Sequence, residues 1–203
     1  MNKVIGIDFD NTLVCYGDAF YLEAMKDKIV PREILRSKEA IRDYLRGIGK
    51  ESLFLEMQGN IYGPGIMKAT PFEGAREFII YSNKMGFKVK IISHKTKTPV
   101  KCSAQHDLHN FAYQWLARNK FFDNETGLKP EDVFFELTRE DKIKRISAEK
   151  CAYFIDDLPE VFSEISFPNI TKILFNPNRR DNSDNKGLVV VKDWTEVRRA
   201  VHG

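Results

Sequence analysis

Four aspartates stand at the ends of two apolar runs, placed where a cation and a phosphate could be held. Val4-Ile5-Gly6-Ile7 is an apolar run of strand length, followed at once by Asp8 and Asp10. In an extended chain residues two apart point to the same side, so the two carboxylates share a site if the strand conformation persists. Two anions that close repel unless a cation or a shared proton compensates. Paired carboxylates suit Mg²⁺, which demands oxygen ligands. A strand end followed by an Asp-Asn turn would be the plain alternative, but the pattern recurs. Ala152-Tyr153-Phe154-Ile155 ends at Asp156 and Asp157, with Pro159 next to open a helix. Between the two, Phe87-Lys88-Val89-Lys90-Ile91-Ile92 ends at the hydroxyl of Ser93. Three strand ends carrying Asp, Ser and Asp-Asp describe one acidic rim that can receive phosphate.

Such a rim exists only if the runs lie side by side, because ligands of open α/β sheets bind outside the carboxyl ends of strands. The first run is β-branched with no polar alternation, as in a strand buried on both faces. Thr70-Pro71-Phe72-Glu73 reads as a capping box. The helix it opens carries Phe72, Ala75, Phe78, Ile79 and Met85 along one side, and Gly86 closes it. A helix between two strands is a right-handed βαβ unit, which implies a parallel sheet. Residues 15–70 never alternate. Helices are expected over Asp18–Ile29, from Pro31 onward through Ile34, Ile41, Leu45 and Ile48, and over Glu51–Gln58 with Gly59 as its end. That is long for a connection in an α/β unit, so residues 15–70 read as a helical insert, leaving 1–14 and 71–203 as the α/β core. Within the core, Gln105–Arg118 reads as a helix with Leu108, Phe111, Ala112, Trp115 and Leu116 inward. Val133–Leu137 reads as a strand, Arg139–Ala148 as a charged helix, Val161–Ile165 as a short helix and Lys172–Phe175 as a strand. A loop over 176–187, an edge strand at Leu188–Val191 and a last helix capped by Asp193 complete the chain.

Asp8-Phe9-Asp10-Asn11-Thr12-Leu13 resembles the first motif of the haloacid dehalogenase-like (HAD) superfamily, Asp-x-Asp-x-Thr after an apolar strand. Ser93 resembles its second motif, Lys142 its third and Asp156-Asp157 its fourth. The resemblance implies a Rossmann-like parallel sheet with a small helical cap inserted after the first strand. It implies a phosphatase, in which Asp8 forms an aspartyl-phosphate and Asp10 is the general acid/base. Relatives that need no acid/base at that position, such as transport ATPases, carry Thr there, and dehalogenases also lack the second carboxylate. Mg²⁺ would be held by Asp8, the backbone carbonyl of Asp10 and Asp156, with Asp157 ligating directly or through water. Ser93 and backbone N–H groups near Phe9 and Asp10 would bind phosphoryl oxygens, and Thr12 would be a structural hydrogen-bonder. His94 is a further phosphate-binding candidate; it and Lys95 open a polar loop, where solvated side chains are commoner than ligand-facing ones. Lys129 and Lys144 are alternatives to Lys142. Lys144 lies about 200° around the helix from Lys142, so both cannot face the site. The order Leu137-Thr138-Arg139-Glu140-Asp141-Lys142 before Ile155-Asp156-Asp157 is also similar to deoxyribonucleotidase-like members, which makes a nucleoside monophosphate one candidate substrate and a sugar phosphate another.

Composition sets bounds on the rest. The chain has 203 residues and a formal net charge of +3, which offers no electrostatic argument for a nucleic-acid polymer. Three isolated cysteines without Cys-x-x-Cys spacing point to a reduced compartment. No apolar run approaches the roughly 20 residues of a membrane span, and the first residues enter a strand directly, so a cytoplasmic location and a small phosphorylated substrate are expected. The competing class is a phosphoacceptor or phosphate-binding regulatory protein without turnover, for which a large insert after the first strand has no place.

Overall fold

The computed structural model describes residues 3–26, 28–99, 101–178 and 187–203. In chain order the strands and α-helices are β1 Val4–Ile7, β2 Val14–Cys15, α1 Gly17–Lys26, α2 Lys38–Gly47, α3 Glu51–Tyr62, β3 Thr70–Pro71, α4 Ala75–Lys84, β4 Lys88–His94, α5 Leu108–Arg118, β5 Val133–Glu136, α6 Arg139–Ala148, β6 Cys151–Asp156, α7 Pro159–Phe162, β7 Thr171–Phe175, β8 Val189–Val191 and α8 Trp194–His202. They form two compact units. One comprises Met1–Leu13, Pro71–Lys95 and Lys120–Gly203; the other comprises Val14–Thr70 and Thr96–Asn119.

The first unit is built on a six-stranded sheet of order β5-β4-β1-β6-β7-β8, parallel at every pairing. β1 is central, which is why its apolar run is unbroken: Ile5 and Ile7 are fully buried. Phe154, Phe162 and Phe167 pack edge to face near one another, with centroids 5.3 to 6.5 Å apart. From β1 the chain moves to β4 and β5 on one side, then crosses to β6, β7 and β8 on the other. The strand order therefore reverses between β1 and β6, the place where open α/β sheets bind ligands.

The second unit is helical. Phe20 of α1 stacks on Phe54 of α3 at 5.6 Å, Tyr16 packs on Tyr62 at 4.9 Å, and Ile41 and Leu45 of α2 are fully buried. The segment Thr96–Asn119 belongs here and not to the sheet-bearing core, which corrects the division at 71–203. α5 buries Leu108, Ala112, Trp115 and Leu116, and the Trp115 indole Nε1 donates to the Ala69 carbonyl at 2.9 Å.

Several elements differ from the sequence expectation. α2 starts at Lys38 and not near Pro31, because Ser37 is its cap: the hydroxyl accepts from Ala40 N at 3.1 Å. α3 runs through Gly59, whose missing side chain is required by a close approach; a Cβ there would stand 2.6 Å from Cys102 Cβ. The capping box at Thr70 does not form. Thr70 and Pro71 are strand, in a two-stranded sheet with β2, and α4 is capped by Gly74 in the left-handed region at φ 84°, a conformation glycine adopts without penalty. α5 begins at Asp107, whose carboxylate accepts from Asn110 N, and α7 spans only Pro159–Phe162. Most of the loop expected over 176–187 lies outside the described residues. No described helix is long and apolar enough to cross a membrane.

Candidate active site

Register brings the acidic rim together. Ile7 pairs with Ile91 of β4 and Ile155 of β6, so the next residues, Asp8 and Asp156, emerge at one level at the reversal point. Asp8 N continues the ladder by donating to the Ile155 carbonyl at 2.9 Å. The chain then turns: Asn11 takes φ 60°, and Leu13 N donates to the Phe9 carbonyl. Asp8, Asp156 and Asp157 each offer a carboxylate oxygen within 4.8 Å of the others. Asp156 Oδ1 also accepts from Leu158 N at 3.0 Å, which locks its rotamer as the chain turns into α7. Ser93, 1% exposed, is the penultimate residue of β4.

Lys142 lies at the centre of the cluster. Thr138 caps α6 by accepting from Asp141 N, so Lys142 falls in the first turn after the β5 end. Its Nζ donates to Asp8 Oδ1 and to Asp156 Oδ2, each at 2.6 Å, and the side chain is 2% exposed. Lys144 instead pairs in solvent with Glu140, and Lys129 with Glu131. Of the three candidate lysines, Lys142 alone reaches the aspartates.

Burial pushes the Asp8 carboxyl up to about 7; Lys142 opposes this and the neighbouring Asp156 adds to it. Burial acts to lower the Lys142 pKa, but Asp156 and Asp8 outweigh it and hold the ammonium charged. Of the three clustered carboxylates, the Lys142 ammonium meets the two buried ones. Such a site takes up positive charge, and its donors are all carboxylate oxygens, the hard ligands Mg²⁺ prefers. The residues present fit that ion.

The Asp10 carboxylate belongs to a second pair. Lys95 Nζ donates to Asp10 Oδ1 at 3.1 Å and Oδ2 at 2.9 Å, with the Lys95 side chain 2% exposed. Sequence reasoning treated Lys95 as a loop residue. Residues two apart on a strand face the same way, and Lys95 is two beyond Ser93; that was the available signal. His94, between them, is exposed, and partial desolvation together with the Lys142 and Arg139 cations holds its imidazole below the usual range. Phe9 is fully buried, with its ring 5.3 Å from that of Phe135. Thr12 is fully buried, but its Oγ1 has no hydrogen-bond partner, so the structural hydrogen bond expected of it is not made.

No family model matches the sequence, and no curated protein matches it. Solved structures do. A predicted phosphatase from Clostridium acetobutylicum is 14% identical, with 99% of this chain and 98% of that one covered at a TM-score of 0.62. The HAD-hydrolase YfnB from Bacillus subtilis, bound to magnesium, is also 14% identical, with 100% and 99% covered at 0.59. A phosphoserine phosphohydrolase-like protein from Francisella tularensis is 15% identical, with 99% and 100% covered at 0.53. With a parallel sheet whose order reverses beside Asp8, and these structural neighbours over its whole length, the protein has the fold of the HAD-superfamily hydrolases.

Proposed function

We propose that the protein is a Mg²⁺-dependent phosphomonoesterase of the cytoplasm, acting through an aspartyl-phosphate on Asp8 upon a small phosphorylated metabolite such as a nucleotide or sugar phosphate. The observation that carries this reading is the buried cluster in which Lys142 bridges Asp8 and Asp156 while Asp10 stands apart, held by Lys95. In this reading one carboxylate serves bond formation and the other proton transfer, the separation that phosphoryl transfer requires.

In the first half-reaction an Asp8 oxygen bonds to phosphorus as the bond to the leaving oxygen breaks, and that oxygen takes a proton from Asp10. In the second, Asp10 takes a proton from water as the water oxygen bonds to phosphorus. The phosphorus–Asp8 bond breaks, and inorganic phosphate leaves. Lys142 offsets the charge that Asp8 shares with the phosphoryl group. Ser93 and the N–H groups near Phe9 and Asp10 bind its oxygens. Asp8, Asp156, Asp157 and the backbone carbonyl of Asp10 would hold Mg²⁺, which when bound supplies positive charge that offsets the repulsion between carboxylate and phosphate. The helical unit acts as the cap; the YfnB structure, one of those with this fold, reveals interdomain movement. A lid excludes water while the ester reacts.

Purified protein should release nitrophenol from para-nitrophenyl phosphate in Mg²⁺ and stop in EDTA. Asp8→Asn should abolish turnover, and Asp10→Asn should lower it by roughly 10²–10⁴-fold. Near wild-type rates from Asp8→Asn would rule out the covalent route. A chain that became phosphorylated and kept its phosphate would be an acceptor instead.

A further inference from the structure

The helical unit contains a cavity of about 280 Å³, whose lining includes Leu55, Gly59 and Tyr62 of α3, Pro99 and Lys101 of the segment after β4, and Leu108 of α5. Every lining residue belongs to that one unit, and neither the aspartates of the rim nor Lys142 is among them. An apolar cavity of about 150 Å³ takes up a benzene ring, so this volume has room for a second ring. Its walls are held in place. Gly59 of α3 and Gly63 just after it let the segment over 96–108 lie directly on the helix. A Cβ at Gly59 would stand 2.6 Å from Cys102 Cβ and 3.1 Å from Pro99 Cβ, and one at Gly63 would stand 2.8 Å from His106 Cδ2. Ser103 Oγ donates to Glu56 Oε1 at 3.2 Å and Cys102 Sγ to Asn60 Oδ1 at 3.5 Å, tying the same segment to α3. Leu108 N donates to the Lys97 carbonyl at 2.8 Å, which closes the segment into a loop. On the helix side, Lys38 Nζ donates to the Tyr62 hydroxyl at 2.6 Å, and the Tyr62 ring packs on that of Tyr16. Little of the protein has to be ordered when such a site is filled, and a small ligand then keeps most of its contact energy.

We infer that this cavity is a binding site for a small apolar acid, one or two rings bearing a carboxylate or a similar anion. Leu55, Pro99 and Leu108 offer the rings an apolar surface, and burying that surface drives their uptake. Lys101 sets the sign of the ligand's charge. It is exposed and is the only charged residue among the described residues that line the cavity. An anion at its rim therefore meets a positive charge and no lining carboxylate, which is the complementarity that selects an acid over a neutral or basic ring. The same chemistry is presented by the ring of an aryl phosphate and by a free effector, and the experiment separates these two sources.

Equilibrium dialysis of 2-naphthoate against the full chain tests the site without drawing on the phosphatase reading. 2-Naphthoate should bind saturably, and the neutral 2-naphthamide roughly three- to fivefold more weakly, the scale of one exposed charge pair. That advantage of the acid should vanish in Lys101→Met, a surface change that leaves the amide's affinity as it was, and should shrink in about 1 M salt. Leu55→Trp fills the cavity and should abolish binding of both probes, with a melting temperature close to wild type to show that it is folded. In Mg²⁺, 2-naphthoate that raises KM for 2-naphthyl phosphate and leaves kcat unchanged marks the cavity as the seat of a substrate ring; a change in kcat, or binding without competition, marks a separate effector. No binding of 2-naphthoate up to millimolar concentration, or an affinity untouched by both Lys101→Met and Leu55→Trp, would overturn the assignment. A dimeric chain that Leu55→Trp makes monomeric would give the cavity to a second copy and overturn it as well. A wild-type protein that binds 2-naphthoate but is inert toward 2-naphthyl phosphate would count against the phosphatase reading and leave the binding site standing.

Discussion

At the scale of single residues, the informative feature is how few positive charges the aspartates share. Lys142 meets two buried carboxylates at 2.6 Å, and removing one partner of a buried ion pair leaves charge uncompensated. Lys142→Met should therefore lose activity by at least roughly 10²-fold, the scale seen when one electrostatic stabiliser of a transition state is removed. It should also lower the melting temperature in EDTA. Lys129→Met and Lys144→Met should do neither, because their ammonium groups pair with exposed glutamates and such pairs contribute little. Steady-state rates on para-nitrophenyl phosphate and thermal melts of the three variants check this. Loss confined to Lys129 or Lys144 would contradict the geometry. The sequence favours Lys142 among the three because it falls in the first turn of the helix after the strand ending at Leu137; that its ammonium is buried between two carboxylates is visible only in the structure.

At the scale of elements, α4 and α8 meet through a histidine. Ser82 Oγ of α4 lies 2.9 Å from His202 Nε2 of α8, and the ring packs against Phe78, Tyr81 and Phe87. Burial, and then the cation of Arg198, hold the His202 imidazole below its ordinary 6.5. The folded protein thus favours neutral His202, whereas the unfolded chain takes up a proton as pH falls past about 6.5. The sign follows from linkage: the contribution to stability is fully present above 6.5 and is lost as pH falls through the lower, folded value. Melting temperatures of the wild type and His202→Gln, compared at pH 7.5 and 5.5, should show a smaller acid-induced drop in the variant. Equal drops would show that His202 does not carry it. The elements themselves were largely legible, because apolar periodicity reports burial. Their ends were not. Thr70-Pro71-Phe72-Glu73 has the composition of a capping box, yet Thr70 and Pro71 pair with Val14 and Cys15, and a pairing between residues more than fifty positions apart leaves no local trace.

At the scale of the whole molecule, the helical unit is made of two excursions of the chain. Val14–Thr70 and Thr96–Asn119 fold together. The ends of the first excursion are adjacent, with Phe72 N donating to the Leu13 carbonyl at 2.9 Å. Replacing residues 18–62 alone would remove α3, one of the elements against which α5 packs, and each large apolar side chain so exposed costs about 1.5–3 kcal/mol. That variant should aggregate. Replacing both 18–66 and 98–117 by short linkers should leave a soluble core that hydrolyses para-nitrophenyl phosphate in Mg²⁺ while its selectivity among metabolite phosphates collapses. Size-exclusion chromatography and a panel of phosphorylated metabolites read the two results. Unchanged selectivity in the double replacement would place substrate choice in the core.

The sequence by itself determined which residues end the central strands. An unbroken apolar run is how a strand of a parallel sheet covered on both faces reads, and a carboxylate directly after such a strand emerges at its carboxyl edge. Asp8, Asp156 and Asp157 were placed by that local rule; Ser93 follows a run broken by Lys88 and Lys90 and stands one residue short of the end of β4. Tertiary structure alone decided what those groups touch. The order β4-β1-β6 set Asp8 beside Asp156, the first turn of α6 delivered Lys142 between them, and past the extra ladder bond at Lys95 an apparently solvated lysine reaches Asp10. Periodicity records whether a residue is buried, not against which partner; partners are chosen by strand order and register, which arise from contacts between distant parts of the chain.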